Sequence, residues 1–215
     1  MFKDERVSTF IISLEEENSP LLEKIEQEAL AAGVPIICRE TASLLKVLLR
    51  MQKPTDILEV GTAVGFSALL MGAVVGHNCH ITTIDNYEKH ICKAKENFKR
   101  ASREEQITLL EGDAALVLKE LKKPFDFIFM DAAKGQYLNY LPDVMRLLRP
   151  GGILISDNVL LGGEVLGARE EVRRRNRTRY DRMREYLYVL KHHEELETCV
   201  LSVGDGVAVS YRLVL

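Results

Sequence analysis

The sequence predicts an α/β fold in which a doubly wound, mostly parallel sheet ends in an antiparallel C-terminal hairpin. Five short apolar runs alternate with segments of helical period, which is the rhythm of a parallel sheet covered by helices. The link Gly204-Asp205-Gly206 joins two further apolar runs and is short enough for a hairpin. The 215 residues fit a single domain with a large core, and no linker or repeat interrupts them.

Two helices, at 20–32 and 40–51, are predicted before the first strand, where they cap the sheet or cover a site. They divide the chain into a helical cap, residues 1–52, and an α/β core, residues 53–215. Parallel strands buried on both faces are predicted at 57–60, 80–85, 107–110, 125–131 and 152–156. A long polar helix at 170–193 then leads into the hairpin strands at 198–203 and 207–213.

Composition and charge exclude several classes of protein. A net charge of −3 does not fit a protein whose whole surface binds polyanions. The longest apolar stretch, 68–76, is too short to span a bilayer, and the charged amino terminus has no apolar segment behind it, so we expect a cytoplasmic protein without a membrane anchor. The four cysteines lie far apart and predict neither a zinc site nor disulfides: Cys38, Cys79, Cys92 and Cys199.

A glycine turn follows the first predicted strand at the carboxyl edge, where open parallel sheets bind ligands. The run Glu59-Val-Gly-Thr-Ala-Val-Gly65 lacks the G-x-G-x-x-G spacing of dinucleotide enzymes. Its glycines let the backbone approach a ligand where a helix begins, and Ser67 lies in the first turn of that helix. The carboxylate of Glu59 favours a cationic ligand over a pyrophosphate, which it would repel.

Acidic residues also follow the second and third predicted strands. Asp85 can accept hydrogen bonds from both ribose hydroxyls of an adenosine, and Asp113 can accept from an adenine amino group. Each signal alone is weak, because a glycine turn is often only a turn and Asp113 could equally cap the next helix. In this order and at these strand ends, they predict a site for a cationic sulfonium nucleoside.

Carboxylates end the next two strands as well. Asp131 closes the run 125–131, and Asp157 and Asn158 follow the run 152–156. If these strands are neighbours, three oxygen ligands meet at one edge, a set that suits Mg²⁺ or a similar hard cation with room for water. The alternative is an Asx turn at Asp157 and a helix cap at Asp131, which does not explain acids at both strand ends.

Lys134 lies three residues beyond Asp131, on a loop that would lean over the same edge. A lysine beside a cation and a sulfonium loses its proton more readily and could act as a general base. A metal at an acceptor oxygen would activate that oxygen and hold it in line for methyl transfer. A solvated surface lysine is the alternative.

Four motifs resemble those of the cation-dependent O-methyltransferases of the catechol and caffeoyl-coenzyme A type: Glu59-Val-Gly-Thr-Ala-Val-Gly65, Met130-Asp-Ala-Ala-Lys134, Asp157-Asn158-Val159 and Val203-Gly-Asp-Gly206. The resemblance runs from about Pro35 to the end of the sequence. It implies a Rossmann-like class I methyltransferase fold with seven strands, the last two forming a hairpin, and it suggests a homodimer.

The resemblance also implies roles for individual residues. Those implied to bind S-adenosylmethionine are Ile37, Glu59, Gly61, Ser67, Asp85, Asp113, Ala114 and Asp131. Asp131, Asp157 and Asn158 would bind Mg²⁺ or Mn²⁺, with Asp131 facing both the methyl donor and the metal. Lys134 takes the position of the catalytic base.

Within that family the chain is most similar to the branch that methylates 5-hydroxyuridine at the tRNA wobble position to 5-methoxyuridine. The residues that carry this likeness are Val34-Pro-Ile36, Asp131-Ala-Ala-Lys-Gly-Gln-Tyr137, Asp157-Asn-Val-Leu160 and Arg173-Arg-Arg175. The chain contains no Trp, so it cannot build the aromatic wall of the catechol enzymes in the same way. A small catechol or caffeoyl-type phenol is the alternative acceptor.

An arginine-rich stretch supports the RNA interpretation. Between Arg169 and Arg184 eight arginines face three acidic residues, an excess of five positive charges in an otherwise acidic chain. Part of the excess is explained by two pairs with helical i,i+4 spacing, Glu170 with Arg174 and Glu171 with Arg175. The unpaired members, Arg173, Arg177, Arg179 and Arg182, could hold a tRNA backbone while a nucleotide leaves its stack in the anticodon loop. A solvated charged helix is the alternative.

Two other classes fit parts of the sequence. A nicotinamide-dependent oxidoreductase would share the sheet and Asp85 but should carry G-x-G-x-x-G. A non-catalytic binding module would have no need for Asp131, Lys134 and Asp157 together. Equilibrium dialysis with labelled S-adenosylmethionine and NAD separates these classes from a methyltransferase.

Overall fold

A computed structural model of the chain describes residues 5–214, and the predicted boundaries at 1 and 215 lie outside that range. The helices are α1 (Glu5–Ser13), α2 (Pro20–Ala31), α3 (Arg39–Gln52), α4 (Phe66–Val75), α5 (Glu88–Arg100), α6 (Ala114–Glu120), α7 (Tyr137–Leu147) and α8 (Arg177–His192). The strands are β1 (Asp56–Val60), β2 (His80–Asp85), β3 (Ile107–Glu111), β4 (Phe125–Met130), β5 (Leu148–Asp157), β6 (Leu196–Leu201) and β7 (Val207–Arg212). Short 3-10 turns lie at Lys134–Gln136, Leu161–Leu166 and Arg174–Asn176.

The seven strands form one sheet in the order β3-β2-β1-β4-β5-β7-β6. The first five are parallel, whereas β7 runs antiparallel to both β5 and β6. The predicted fold class is therefore confirmed, including the antiparallel hairpin. The chain steps outward from β1 to β3 and then returns to the other side of β1 with β4. The carboxyl ends of β1 and β4 thus flank the switch point, where α/β sheets bind ligands.

Both faces of the sheet are buried under helices, because successive strand residues point to opposite sides. On one face, Ile57, Phe127 and Ile155 pack with residues of α2, α3, α4 and α5. On the other, Leu58, Ile128 and Leu154 pack with residues of α6, α7 and α8. Two covered faces explain why the strands are apolar throughout instead of alternating with polar residues.

The N-terminal helices belong to the first of these two cores. Leu22 and Ile25 of α2 and Leu45 and Leu49 of α3 lie in the same buried cluster as Ile57. The division at residue 52 into cap and core stays a prediction. Helix α1 was not predicted from the sequence. Among residues 5–214, no helix is both long and apolar enough to cross a membrane.

Helix α8 is shorter than predicted. The sequence predicted a helix at 170–193, but α8 begins at Arg177, after a turn and the 3-10 segment Arg174–Asn176. Residues 170–176 offer one buried apolar side chain, Val172, so they have no apolar stripe to pack. The guanidinium of Arg177 instead donates to the carbonyls of Glu170 and Val172 and closes the loop. The predicted i,i+4 pairs, Glu170 with Arg174 and Glu171 with Arg175, lie before this helix begins. The prediction that they pair on a helix was wrong.

Candidate active site

A cavity of about 750 Å³ opens at the switch point, at the carboxyl ends of the parallel strands. It brings together most of the residues that the sequence predicted for the site: Ile37, Gly61, Ser67, Asp85, Asp113, Ala114, Asp131, Lys134 and Asn158. Glu59 and Asp157 do not line it. Their side chains lie beneath its wall, with exposed fractions of 0% and 2%.

The glycine turn after β1 is shaped by chain packing as much as by ligand access. Gly61 has a φ of +105°, and a Cβ there would lie 2.2 Å from the carbonyl oxygen of Asp131. The backbone amide of Asp131 also donates to the carbonyl of Val60. The ends of β1 and β4 can meet this closely because residue 61 has no side chain. Gly61 therefore allows the ends of β1 and β4 to pack against each other at the site.

Asp85 holds the glycine turn from the neighbouring strand. One carboxylate oxygen accepts from the amide of Ala63 at 2.8 Å, and the other accepts from the amide of Tyr87 at 2.9 Å. Each oxygen keeps a lone pair that could accept from a ribose hydroxyl.

Asp113 caps helix α6, which was the alternative role predicted for it. Its carboxylate accepts a hydrogen bond from the amide of Ala115 at the start of the helix. The same side chain lines the cavity, so the cap leaves it available to a ligand as well.

Glu59 is held in a buried polar cluster beneath the cavity. Ser67 donates to one of its carboxylate oxygens, and Thr83 donates to the other at 2.5 Å. Burial raises the pKa of Glu59 from 4.5 to about 8, against the opposing effect of these two hydrogen bonds. Near neutral pH the neutral acid is therefore the favoured form. The charge that the sequence analysis assigned to Glu59 is suppressed in the folded protein without ligand.

The raised pKa of Glu59 predicts how stability depends on pH. A neutral Glu59 stabilises the fold fully below pH 4.5, and this contribution is lost as pH rises through about 8. Glu59→Gln should therefore raise the free energy of unfolding at pH 8 by on the order of 3 kcal/mol, and by less than about 1 kcal/mol at pH 5. Urea unfolding at both pH values, with EDTA present, measures the difference. Glu105→Gln, an exposed control in the turn before β3 that forms no ion pair with residues 5–214, should change neither value. Equal stabilisation at both pH values would contradict a neutral Glu59.

Two carboxylates meet at the ends of β4 and β5. Met130 is in register with Ser156, so Asp131 and Asp157 are the next pair along these strands. Burial, and secondly the charge of Asp131, raise the pKa of Asp157 to about 7. The backbone amide of Asn158 and the charge of Lys134 oppose this rise, and Thr41 lies 3.5 Å away as a side-chain donor. A buried carboxylate beside a second carboxylate, with its pKa still raised, is the arrangement that a bound cation would stabilise.

Asn158 completes an oxygen donor set with these two acids. It has a φ of +58°, a left-handed conformation that Asn tolerates, and it lines the cavity. No group of three His, Cys, Asp or Glu side chains in the described part of the chain forms a metal cluster. Two carboxylates and an amide oxygen nevertheless fit Mg²⁺ or Mn²⁺ in chemistry.

Lys134 lies at the start of the 3-10 turn that follows β4. Its ammonium donates to Asp131 and, at 3.1 Å, to the hydroxyl of Tyr137, and its side chain is 17% exposed. Burial, together with the charges of Asp131 and Asp157, raises the pKa of Tyr137 well above 10, so its hydroxyl stays protonated. The alternative of a solvated surface lysine is excluded.

Comparison with known proteins identifies the family. The sequence profile of the O-methyltransferase family matches residues 11–213, nearly the whole chain. The chain belongs to the O-methyltransferase family. The predicted family and enzyme class are confirmed, whereas the closer likeness to the tRNA-modifying branch stays a prediction.

Two relatives of this O-methyltransferase are named as catechol and caffeoyl-CoA O-methyltransferases. It is 34% identical over 141 residues to a catechol O-methyltransferase of Niastella koreensis, a match that covers 63% of this chain and 64% of that protein. It thus spans slightly less than two thirds of that relative's length. It is 30% identical over 182 residues to a caffeoyl-CoA O-methyltransferase of Medicago sativa, covering 81% and 73% of the two chains.

Solved structures connect the family to the cofactor. A SAH-bound methyltransferase from Podospora anserina is 26% identical, with a TM-score of 0.87 over 99% of this chain and 97% of that chain. An O-methyltransferase from Bacillus cereus, also in complex with SAH, is 25% identical, with a TM-score of 0.84 over 96% and 97% of the two chains. The predicted dependence of this O-methyltransferase on S-adenosylmethionine is accordingly confirmed.

Sequence reasoning missed several residues of the O-methyltransferase site. Asp205 lines the cavity with Asn158, although the sequence analysis treated it as the middle of a hairpin turn. The amide of Leu160 donates to the Asp205 carbonyl, which holds this turn against the residues that follow β5. Asn86 and His90 also line the cavity near Asp85. The Val203-Gly-Asp-Gly206 motif was the available signal for Asp205; no pattern pointed to His90.

The arginines proposed to contact RNA are largely engaged within the O-methyltransferase itself. Arg179 pairs with Glu164 at 2.6 Å, Arg182 donates to the carbonyl of Gly135, and Arg177 closes the loop before α8. Three exposed side chains form no hydrogen bond or ion pair with residues 5–214: Arg173, Arg174 and Arg175. Of the four arginines that the sequence analysis chose, Arg173 belongs to this exposed run, whereas Arg177, Arg179 and Arg182 make contacts within the protein.

Proposed function

We propose that this O-methyltransferase transfers a methyl group from S-adenosylmethionine to a hydroxyl of a catechol or caffeoyl-type phenol, assisted by a divalent cation. The observation that carries the proposal is the convergence of Asp131, Asp157, Asn158 and Lys134 beside one cavity wall. The catechol and caffeoyl-CoA enzymes among its relatives support this class of acceptor. A catechol carries oxygens on two adjacent ring carbons. Such an acceptor can occupy the coordination positions that a small set of protein oxygen ligands leaves free on the cation.

The acidic residues at the other strand ends provide the contacts for the cofactor. S-adenosylmethionine, when bound, supplies a methyl group on a positively charged sulfur. Asp85 has lone pairs for ribose hydroxyls, and Asp113 has a free carboxylate oxygen for an amino group. Asp131 also lines the cavity and provides a negative charge that favours a cation.

Lys134 is placed to accept the proton that the acceptor loses. A divalent cation, when bound, favours the deprotonated form of an acceptor hydroxyl and fixes its position. The acceptor oxygen then forms a bond to the methyl carbon as the carbon–sulfur bond breaks, and the hydroxyl proton passes to the Lys134 amine. The products are a methyl ether, the neutral thioether of the cofactor and a protonated Lys134. Holding the partners in line supplies much of the rate enhancement.

A second candidate acceptor, 5-hydroxyuridine in the wobble position of tRNA, is favoured by the exposed run Arg173, Arg174 and Arg175. The run lies between the 3-10 turn that follows Asn158 and α8, whose Arg182 contacts the carbonyl of Gly135 next to Lys134. The three exposed guanidinium groups of this run could hold phosphates. 5-Hydroxyuridine also carries oxygens on two adjacent ring carbons, so the same metal-assisted methyl transfer could take place on it.

Substitution of all three arginines by Gln distinguishes the two acceptors. With 3,4-dihydroxybenzoate as the acceptor, the triple variant should retain wild-type kcat/KM, because these side chains do not line the cavity. If tRNA is the substrate, the variant should bind it more weakly, and the slope of log affinity against log salt should flatten by about 0.7 to 0.9 for each arginine–phosphate interaction that the substitutions remove. Mass spectrometry of the methylated product and salt-dependent binding assays measure both effects.

The matched control neutralises Lys99, Lys119 and Lys122, three exposed lysines near the ends of α5 and α6 that form no ion pair with residues 5–214. It removes the same charge and should leave tRNA binding unchanged. Loss on both acceptors would assign the arginines to folding, and an unchanged salt slope would remove tRNA as a candidate. Absence of methylated product from both acceptors would contradict the proposed function.

A further inference from the structure

Tyr137 is a buried tyrosine whose hydroxyl lies between the ends of two strands. The hydroxyl is 2.9 Å from the carbonyl oxygen of Met130, at the end of β4, and 3.0 Å from that of Asp157, at the end of β5. The residue is completely buried at the start of α7. One phenolic proton is thus shared between the two carbonyls that immediately adjoin the candidate metal ligands.

The lone pairs of the same hydroxyl face Lys134. Its ammonium donates to the Tyr137 oxygen at 3.1 Å and to the carboxylate of Asp131. The two contacts restrain the Lys134 side chain from two sides, which limits the rotamers available to a long and flexible chain. The tyrosine itself cannot shift easily, because its ring packs edge-on against Tyr186 of α8, with 5.4 Å between ring centroids.

We propose that Tyr137 is a positioning residue that orients Lys134 toward the reacting groups by linking its amino group to the ends of β4 and β5. The inference rests on the proposed function, in which Lys134 accepts the proton. Tyr137 does not line the cavity, so it acts through Lys134 and not on the acceptor. The motif Asp131-Ala-Ala-Lys-Gly-Gln-Tyr137 therefore combines a ligand, a base and the group that orients the base.

Tyr137→Phe tests this role because it removes the hydroxyl and keeps the ring. In a crystal structure of this variant without ligand, the Lys134 amino group should move away from residue 137 or occupy more than one rotamer, because the contact to Asp131 alone no longer restrains it from two sides. Turnover with 3,4-dihydroxybenzoate should fall about 100-fold in kcat, the size of effect expected when a reacting group is misplaced by about 1 Å. The KM values for the acceptor and for S-adenosylmethionine should stay within about twofold, because the cavity wall is unchanged.

Tyr186→Phe is the matched control. Tyr186 is also completely buried, and its hydroxyl lies 2.6 Å from the hydroxyl of Ser156, but it makes no hydrogen bond to Lys134. This variant also loses a buried hydroxyl, yet Lys134 should stay in place and kcat should stay within about twofold of wild type.

Three results would overturn the positioning role: an unmoved Lys134 in Tyr137→Phe, equal loss of kcat in both variants, or a loss confined to KM. Failure of the proposed function would look different. An inactive wild type on both catechol and tRNA would contradict the proposed function, while the two crystal structures would still decide whether Tyr137 positions Lys134.

Discussion

Lys134→Met is expected to lower kcat by about 10²- to 10⁴-fold, the range that a positioned general base contributes. Methionine keeps the length of the side chain but cannot accept or donate a proton at its end. The affinity for S-adenosylmethionine should change by less than about threefold, since Asp85, Asp113 and the glycine turn are untouched. Steady-state kinetics with 3,4-dihydroxybenzoate and calorimetric titration of S-adenosylmethionine measure the two quantities separately.

The control for this prediction is Lys123→Met. Lys123 also forms an ion pair with an aspartate, but its partner, Asp56, lies at the start of β1, on the opposite edge of the sheet. This variant should retain wild-type kcat, which shows that losing a lysine–aspartate pair does not by itself impair catalysis. If Lys134→Met kept more than about a third of the wild-type kcat, Lys134 would be a structural lysine and another group would have to take the proton.

The sheet could be predicted because its strands are buried on both faces and end in polar residues. The predicted start and end of β2, His80 and Asp85, agree with the structure, and the other strands differ by a few residues at their ends. Helix α1 gave no usable signal, since it is short and its Val7 and Phe10 are exposed. The start of α8 was missed because charge spacing suggested a helix where no apolar stripe supports one.

The position of the candidate site was predictable from the sequence, but the depth of its residues was not. Strand ends placed Asp85, Asp131 and Asp157 at one edge, and the structure confirms that placement. Side-chain alternation does not separate them, because Glu59, Asp85, Asp131 and Asp157 all share the parity of first-core residues in their own strands. Depth follows position along the strand instead. Glu59 lies within β1 and Asp157 still belongs to β5, and both have raised pKa values, whereas Asp131 lies beyond the end of β4.

Chelation with EDTA should abolish turnover, and addition of Mg²⁺ or Mn²⁺ should restore it. Without a cation, Asp157 stays buried beside Asp131 with a raised pKa, and the acceptor has no group to hold its second oxygen. The fold should survive chelation, because the sheet and both cores do not depend on these ligands. Circular dichroism of the chelated protein checks the fold, and turnover of 3,4-dihydroxybenzoate checks the activity.

Binding of the cation can be measured without turnover, by calorimetric titration of the chelated protein with Mn²⁺. Asp157→Asn should weaken this binding at least about tenfold, since it removes one of two charged ligands. Asp143→Asn should not change it, because that carboxylate pairs with Arg146 on α7, away from the donor set. Binding should also weaken below pH 7, where protons compete for Asp157, whose pKa is about 7 without metal. Full turnover in thoroughly chelated protein, or Mn²⁺ affinity equal in wild type and Asp157→Asn, would contradict a metal at this edge and leave Lys134 as the sole source of acceptor activation.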